Sequence, residues 1–526
     1  MERLSAQDAA FLYLETPETP MHIGSVTIFA PRPGVTADQI FHSFREHTAA
    51  RLDLLPSYRR RLQTRPLGID HPVWVYEKTV DLDYHIRRTA LPRPGTMAQL
   101  RDLVADLHAR ALDRNRPLWQ YYLIEGLEDG GFALYVRVHH AAMDGVAGVA
   151  AMASILDFSP EPAPLAPPSD QHREPGRAPG FFALLANAVE DFLEQDVRVV
   201  RGGPKFIAAL ATAGRRAVTT LRRLPQPITV PPRTLFNRSI SAERCFGTAS
   251  ISLSHAKLVA KARHATINDI VLAVSAGALR RYLAAKKDLP RKALIAGVPV
   301  SLRELGHTEL NNQSAMVFAT LATDCADPLV RLDEIARSSR ETRALFAYVK
   351  PVWPLELSLP GAPMVIAGFA QLVARARFFD VAPPLMNVVI SNVPGPRQPM
   401  YCAGAAARHY FPVSIPYHGC ALNITAQSYL DQIEFGLVSC RATVPDVQAI
   451  AELMVDEFET LKRAAAAIAD AGEIELIVLA PPALLPPAAA EPRAAATASS
   501  QKSTTRMEQP RARRNGRRRP AKDAMT

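Results

Sequence analysis

Cysteine is scarce in this chain: five in 526 residues, at Cys245, Cys325, Cys402, Cys420 and Cys440. They form no CxxC pair and show no metal-ligand spacing, which argues against a disulfide-stapled secreted fold and against a zinc site. No apolar run is long enough to span a bilayer uninterrupted. The opening residues, MERLSAQDAAFLYLE, lack the basic-then-apolar plan of a secretory signal. The expectation is a protein kept in the cytoplasm without a transmembrane anchor. A GxSxG elbow is missing too, and no cysteine lies near the main motif, so a covalent acyl-enzyme is disfavoured. No internal repeat is visible.

Hydrophobic residues make up 48% of the chain and charged residues 21%, the balance of a globular protein with a sizeable core. The length asks for two lobes plus appendages rather than one domain. The net charge of +10 is unevenly placed: residues 501–526 hold nine Lys or Arg against Glu508 and Asp523, a net of +7. This stretch has no aromatics and follows an Ala/Pro-rich run, so it reads as a disordered electrostatic tether rather than a folded nucleic-acid reader. By charge alone, anionic lipid and nucleic acid would attract it equally.

The strongest chemical statement is at residues 134–145, LYVRVHHAAMDG. Leu134, Val136 and Val138 alternate with Tyr135, Arg137 and His139, the period-2 pattern of a half-buried strand. Alternation sends His140 to the inward face and His139 to the other face with Arg137. An imidazole delivered to the interior at a strand end is placed to act as a general base. The alternative is an ordinary core histidine. Asp144 precedes GVAGVAAMASIL, whose small apolar residues suit a buried helix, so its carboxylate is expected to cap that helix.

Residues 1–158 alternate strand and helix signals and carry the HHxxxDG motif. Residues 159–233 begin with a Pro-rich linker (159–180) and continue with a basic segment, 201–224, that has six basic residues and no acid. Its apolar residues fall near helical spacing. It suits either a membrane interface or a core-facing helix with a solvated basic face. Residues 234–470 form the second lobe, and 471–526 the low-complexity tail. In the second lobe, TINDIVLAVSAGALRRYLAAKKD opens with the capping-box spacing Thr266 to Asp269. Asn268 lies in its first turn, where a polar helix-start filler is the plain reading. NVVISNVPGP at 387–396 reads as a strand stopped by a proline-rich turn.

Taken together, LSAQDAAFLYLETPETPMHIGSV, RPLWQ, HHAAMDG, PRTLFN, TINDIVLAVSAGALRRYL, MNVVISNVPGP and GCALNITAQSYLDQIEFGLVSCRATVPD resemble the bacterial wax ester synthase/acyl-CoA:diacylglycerol acyltransferases. These belong to the HxxxD superfamily of CoA-dependent acyltransferases. The resemblance runs over residues 4–461. It implies an α/β fold of two chloramphenicol-acetyltransferase-like lobes, with a channel and active site at their interface, followed by the disordered basic tail. It also implies His140 as base beside His139, a structural and orienting Asp144 with Gly145, and activity-linked Asn268 and Asp269. Asn268 and Ser428 are oxyanion candidates by resemblance and polarity.

The substrates implied are acyl-CoA and diacylglycerol or a long-chain alcohol, with no cofactor and no metal. The partner is a membrane or lipid-droplet surface rather than nucleic acid. Two departures stand out: SYLD puts Asp431 where the family has glycine, and ERCF at 243–246 is less basic than the family's wording. A catalytically silent lipid-surface scaffold and condensation-type chemistry on other thioesters are the competing readings.

Overall fold

A computed structural model describes residues 2–64, 71–161, 230–301, 314–349 and 376–471, with Gly368 and Leu372. The basic segment 201–224, most of the linker 159–180 and the tail from 472 lie outside the described residues. The described elements belong to one compact unit, Met1–Glu475.

The strands in chain order are β1 (Glu2–Arg3), β2 (His22–Phe29), β3 (Arg60–Gln63), β4 (Val73–Tyr76), β5 (Ile86–Ala90), β6 (Trp119–Glu125), β7 (Phe132–His139), β8 (Arg244–Ser252), β9 (Ile295–Ser301), β10 (Ser314–Thr320), β11 (Val388–Val393), β12 (Tyr401–Cys402), β13 (Ala405–Val413), β14 (Leu422–Tyr429) and β15 (Gln432–Cys440). The helices are α1 (Ala6–Leu14), α2 (Ala37–Arg51), α3 (Leu82–His85), α4 (Met97–His108), α5 (Gly145–Ile155), α6 (Leu253–Ala262), α7 (Ile267–Ala285), α8 (Pro328–Val349) and α9 (Val447–Ala471).

Two six-stranded sheets organise the molecule, ordered β12-β13-β2-β7-β6-β5 and β10-β9-β11-β14-β15-β8, beside a small sheet β1-β4-β3. Most neighbours are antiparallel; β5 runs parallel to β6, and β11 runs parallel to β9 and β14. The result is the expected pair of α/β lobes.

The lobe boundary differs from a simple division at residue 234. Strands β12 and β13 come from the C-terminal half of the chain but join the first sheet, with Pro412 opposite Ser25 on β2. The driving force is an edge that would otherwise leave β2 unpaired on one side. One core cluster then holds Val26, Ile28 and Tyr135 together with Phe246, Phe411 and Val438, so the lobes share buried surface. Their closest approach is at Gly436 on β15, where a Cβ would lie 1.6 Å from the carbonyl oxygen of Pro412. Only glycine permits that contact.

Strand β7 departs from the half-buried expectation: all eight of its residues are buried. The polar face is covered because Arg137 is satisfied internally. Its Nη1 donates to the carbonyl of Leu107 at 2.7 Å and also to that of Arg110. These carbonyls sit at the C-terminal end of α4, where the helix dipole is negative. In the second lobe, α7 is held at its start by the capping box of Thr266 and Asp269. It is buried nearly all round, from Asp269 through Leu279 and again at Tyr282 and Leu283, rather than along a single stripe.

Three histidines are locked neutral in the first lobe. Burial pushes the pKa of His85 down to about 4, that of His108 to about 3, and that of His22 well below its usual value. Each ring is tied to a carbonyl: His85 to Trp119 at 2.7 Å, His108 to Ser414 at 2.9 Å and His22 to His108 at 2.8 Å. Because the folded pKa lies below the unfolded one, the unfolded chain takes up more protons below about pH 6.5. Stability is therefore complete above that pH and lost below it, by about 1.4 kcal/mol per pH unit for each neutral histidine. Thermal melts should show a steep fall in Tm from pH 6.5 to 4.5, and a flat profile over that range would contradict the protonation states.

Candidate active site

The histidine motif lies where strand β7 ends and α5 begins. Strand alternation places Val136, Val138 and His140 on one face, and all three line a cavity of about 760 Å³. The walls come from β2, β7 and α5 on one side and from β9, β10, β11 and β14 on the other, with β13 contributing Tyr410, Pro412 and Val413. His140 is therefore at the junction of the lobes. Its backbone N–H donates to the carbonyl of Met21 at 2.7 Å, which ties it to the start of β2. Its ring stacks flat on Phe11 from α1, with centroids 4.0 Å apart and planes 9° apart. Its Nδ1 is buried.

His139 points away from the cavity and is fully buried. Its Nδ1 accepts the N–H of Ala141 at 3.0 Å, which leaves the ring proton of the neutral form on Nε2. That nitrogen lies 3.4 Å from Oε1 of Glu15. Asp144 accepts the N–H of Ala147 at 2.9 Å and so caps α5, the arrangement its position before the helix offered. The helix start is close-packed against the other lobe: a Cβ on Gly145 would meet Val393 at 3.3 Å.

The cavity is overwhelmingly apolar. Among the residues lining it, Asp144 is the only carboxylate, His140 and His418 are the only imidazoles, and there is no Lys, Arg or Cys. Such a wall suits acyl chains and a neutral pantetheine arm, whereas nucleotide phosphates would find no cation inside it. The RPLWQ motif supports this wall from behind. Trp119 stacks on Tyr58 with centroids 4.7 Å apart, its indole N–H donates to the Tyr58 carbonyl at 2.9 Å, and Tyr58 itself faces the cavity.

The remaining sequence candidates are not brought into the cavity wall. Asn268 and Asp269 sit in the first turn of α7, where Oδ2 of Asp269 accepts the N–H and the hydroxyl of Thr266, each at 2.8 Å. Ser428 faces the opposite side of β14 from Asn423, Thr425 and Gln427, which do line the cavity. Its hydroxyl accepts the N–H of Gly395 at 3.0 Å, a turn-stabilising role. Asp431, the unusual residue of SYLD, accepts the N–H of Ser254 at 3.0 Å and its hydroxyl at 2.8 Å, pinning the β14–β15 hairpin to the start of α6. In ERCF, Arg244 is buried and donates to the carbonyls of Ser241 and Glu18, joining the two lobes.

Residues that sequence reasoning passed over include Phe11, Glu15, Tyr58 and His418. His418 lines the same cavity, accepts the N–H of Ile240 on Nδ1 at 3.2 Å, and has its pKa lowered by burial. Its position just before GCALNITAQSYL was the available signal. Phe11 and Glu15 lie within the N-terminal stretch that carries the resemblance, but their placement depends on contacts with β7, more than 120 residues away. Among the described residues, no cluster of three or more His, Cys, Asp or Glu is arranged to hold a metal ion. No described helix is long and apolar enough to cross a membrane.

Two α/β lobes closing on an apolar cavity with a histidine in its wall are the architecture that the resemblance to CoA-dependent acyltransferases implied. Residues 4–271 match the wax ester synthase/diacylglycerol acyltransferase catalytic domain and residues 310–462 match its C-terminal domain, so the chain belongs to that family. It is 34% identical over 477 residues to a Mycobacterium tuberculosis protein named "Probable diacyglycerol O-acyltransferase tgs2", covering 88% of this chain and 99% of that one. Among solved structures it resembles a wax ester synthase/diacylglycerol acyltransferase from Marinobacter aquaeolei, with a TM-score of 0.62 and 31% identity, covering 89% of this chain and all of that one. The starter condensation domain of rhizomide synthetase shares the fold, with a TM-score of 0.53 and 14% identity over 88% of this chain and 94% of that one.

Proposed function

We propose that this protein moves a long-chain acyl group from acyl-CoA to diacylglycerol, a long-chain alcohol, or both, with His140 as general base. The observation that carries this reading is the placement of His140: a strand-end imidazole in the wall of an apolar cavity of about 760 Å³ between the lobes. Since Nδ1 is buried, Nε2 is the nitrogen that takes the hydroxyl proton of the acceptor. The acceptor oxygen attacks the thioester carbonyl carbon, forming a C–O bond. As the tetrahedral intermediate collapses, the C–S bond breaks and the imidazolium returns its proton to the CoA sulfur. Ester and free CoA are the products, and no covalent enzyme intermediate is needed.

Asp144 fixes the turn that presents the base. The Phe11 stack limits rotation of its ring. Both hold the imidazole for attack, the kind of pre-positioning that accounts for much of the catalysis in such transfers. Membrane or lipid-droplet association is part of the proposal. Its support is the water-insolubility of both substrates together with the basic 201–224 and 501–526 stretches, acting from the cytoplasmic side.

The test is an assay of the purified full chain with palmitoyl-CoA and either dioleoylglycerol or hexadecanol, following free thiol and separating neutral lipids. CoA release matched by triacylglycerol or wax ester is expected. Thiol release without ester, or none with either acceptor, would overturn the assignment.

A further inference from the structure

Behind the histidine pair lies a carboxylate with no role so far. Glu15 follows α1, the helix whose Phe11 stacks on His140. Its side chain is only 8% exposed and reaches three groups at once. Oε1 accepts the N–H of Met21 at 3.0 Å and faces Nε2 of His139 at 3.4 Å; Oε2 accepts from Nε of Arg114 at 2.9 Å. Burial alone would raise the Glu15 pKa, but the His139 ring, Arg114 and the Met21 N–H outweigh it and hold the pKa at about 2. The group is thus a carboxylate throughout the working pH range.

These contacts converge on the base. Met21, whose N–H is held by Glu15, gives its carbonyl to the N–H of His140 at 2.7 Å. His139, the neighbour of His140, has its Nδ1 committed to Ala141 and presents its Nε2 to Glu15. A single carboxylate therefore braces both the residue before and the strand beside the catalytic ring. We propose that Glu15 is a positioning residue for the reaction: it sets the ring of His139 and pins Met21, and through them fixes where His140 meets the acceptor hydroxyl. This rests on His140 being the base.

The consequence falls on turnover rather than on substrate binding, because Glu15 is not among the residues lining the cavity. A misplacement of the base by about an ångström can cost on the order of 10² in rate. Glu15→Ala should lower kcat by about 10- to 100-fold per folded molecule, with KM for palmitoyl-CoA and dioleoylglycerol within about twofold of wild type. Glu15→Gln keeps an oxygen of the same reach for Met21 and His139 and should recover to within about fivefold of wild type. Arg114→Gln removes the ion pair while leaving the carboxylate on His139, and should retain near wild-type kcat.

Folded fraction is read from far-UV circular dichroism and melting, so lost folding is separated from lost positioning. Unchanged kcat in Glu15→Ala, a loss in Glu15→Gln as large as in Glu15→Ala, or an equal loss in Arg114→Gln would each overturn the inference. Activity of the wild type in the same assay tests the acyltransfer reading separately. An inactive wild type sinks that reading and this one with it, whereas an active wild type with an indifferent Glu15 sinks only the positioning role.

Discussion

Replacing His140 with alanine should lower turnover by about 10²- to 10⁴-fold, the range typical of a positioned general base, with little change in fold. The main-chain bond from His140 to Met21 survives the substitution, and His140 is not part of the buried core. What is lost structurally is the stack on Phe11, a pair of this kind being worth about 0.5–1.5 kcal/mol. For a chain of this size that is a Tm change of only a few degrees. His139→Ala behaves differently. That ring is fully buried, accepts from Ala141 and faces Glu15, so its removal opens a cavity and strands a carboxylate. The contrast to look for is kinetic failure with an intact melt at 140, and a lowered melt at 139. Near-normal turnover in His140→Ala would remove the imidazole from the mechanism.

The second large effect concerns the cavity itself. Gly148 sits on α5 one turn beyond the motif and lines the cavity, and a Cβ built there would meet nothing within 4 Å. A tryptophan at this position can therefore enter the open space without displacing packed atoms. Removing glycine from a helix interior is worth up to about 1 kcal/mol in favour of the helix, so the fold should not suffer. Gly148→Trp should cut the rate with palmitoyl-CoA by about tenfold or more, because one lost methylene contact in an apolar site is worth about 1–3 kcal/mol and a long chain makes several. Butyryl-CoA should be affected much less. Equal losses with long and short donors, at an unchanged Tm, would show that acyl chains do not occupy this space.

Much of this arrangement was legible in the chain, because the periodicities involved are local. Alternation along residues 134–140 selected the face of His140, and the spacing of Asp144 to its helix and of Thr266 to Asp269 gave the caps. The same alternation, applied to 423–428, separates Ser428 from Asn423, Thr425 and Gln427. Choosing Ser428 for its polarity overlooked that rule.

Other features depend on distant pairings that no local pattern encodes. Arg137 made β7 look half-exposed, yet its charge is absorbed by carbonyls at the end of α4. The return of β13 to the first sheet depends on partnership between 405–413 and 22–29, which neither segment announces. Glu15 was visible as one acid within a resembling stretch. Its meaning required the fold to bring β7 and Arg114 to it.

The most direct test is a crystal structure with a non-hydrolysable palmitoyl-CoA analogue and hexadecanol bound. The account predicts the acyl chain in the cavity between the lobes and the alcohol oxygen within hydrogen-bond reach of His140 Nε2, about 2.6–3.2 Å. An alcohol bound outside the cavity, or one whose oxygen is held by other side chains with His140 out of reach, would contradict it.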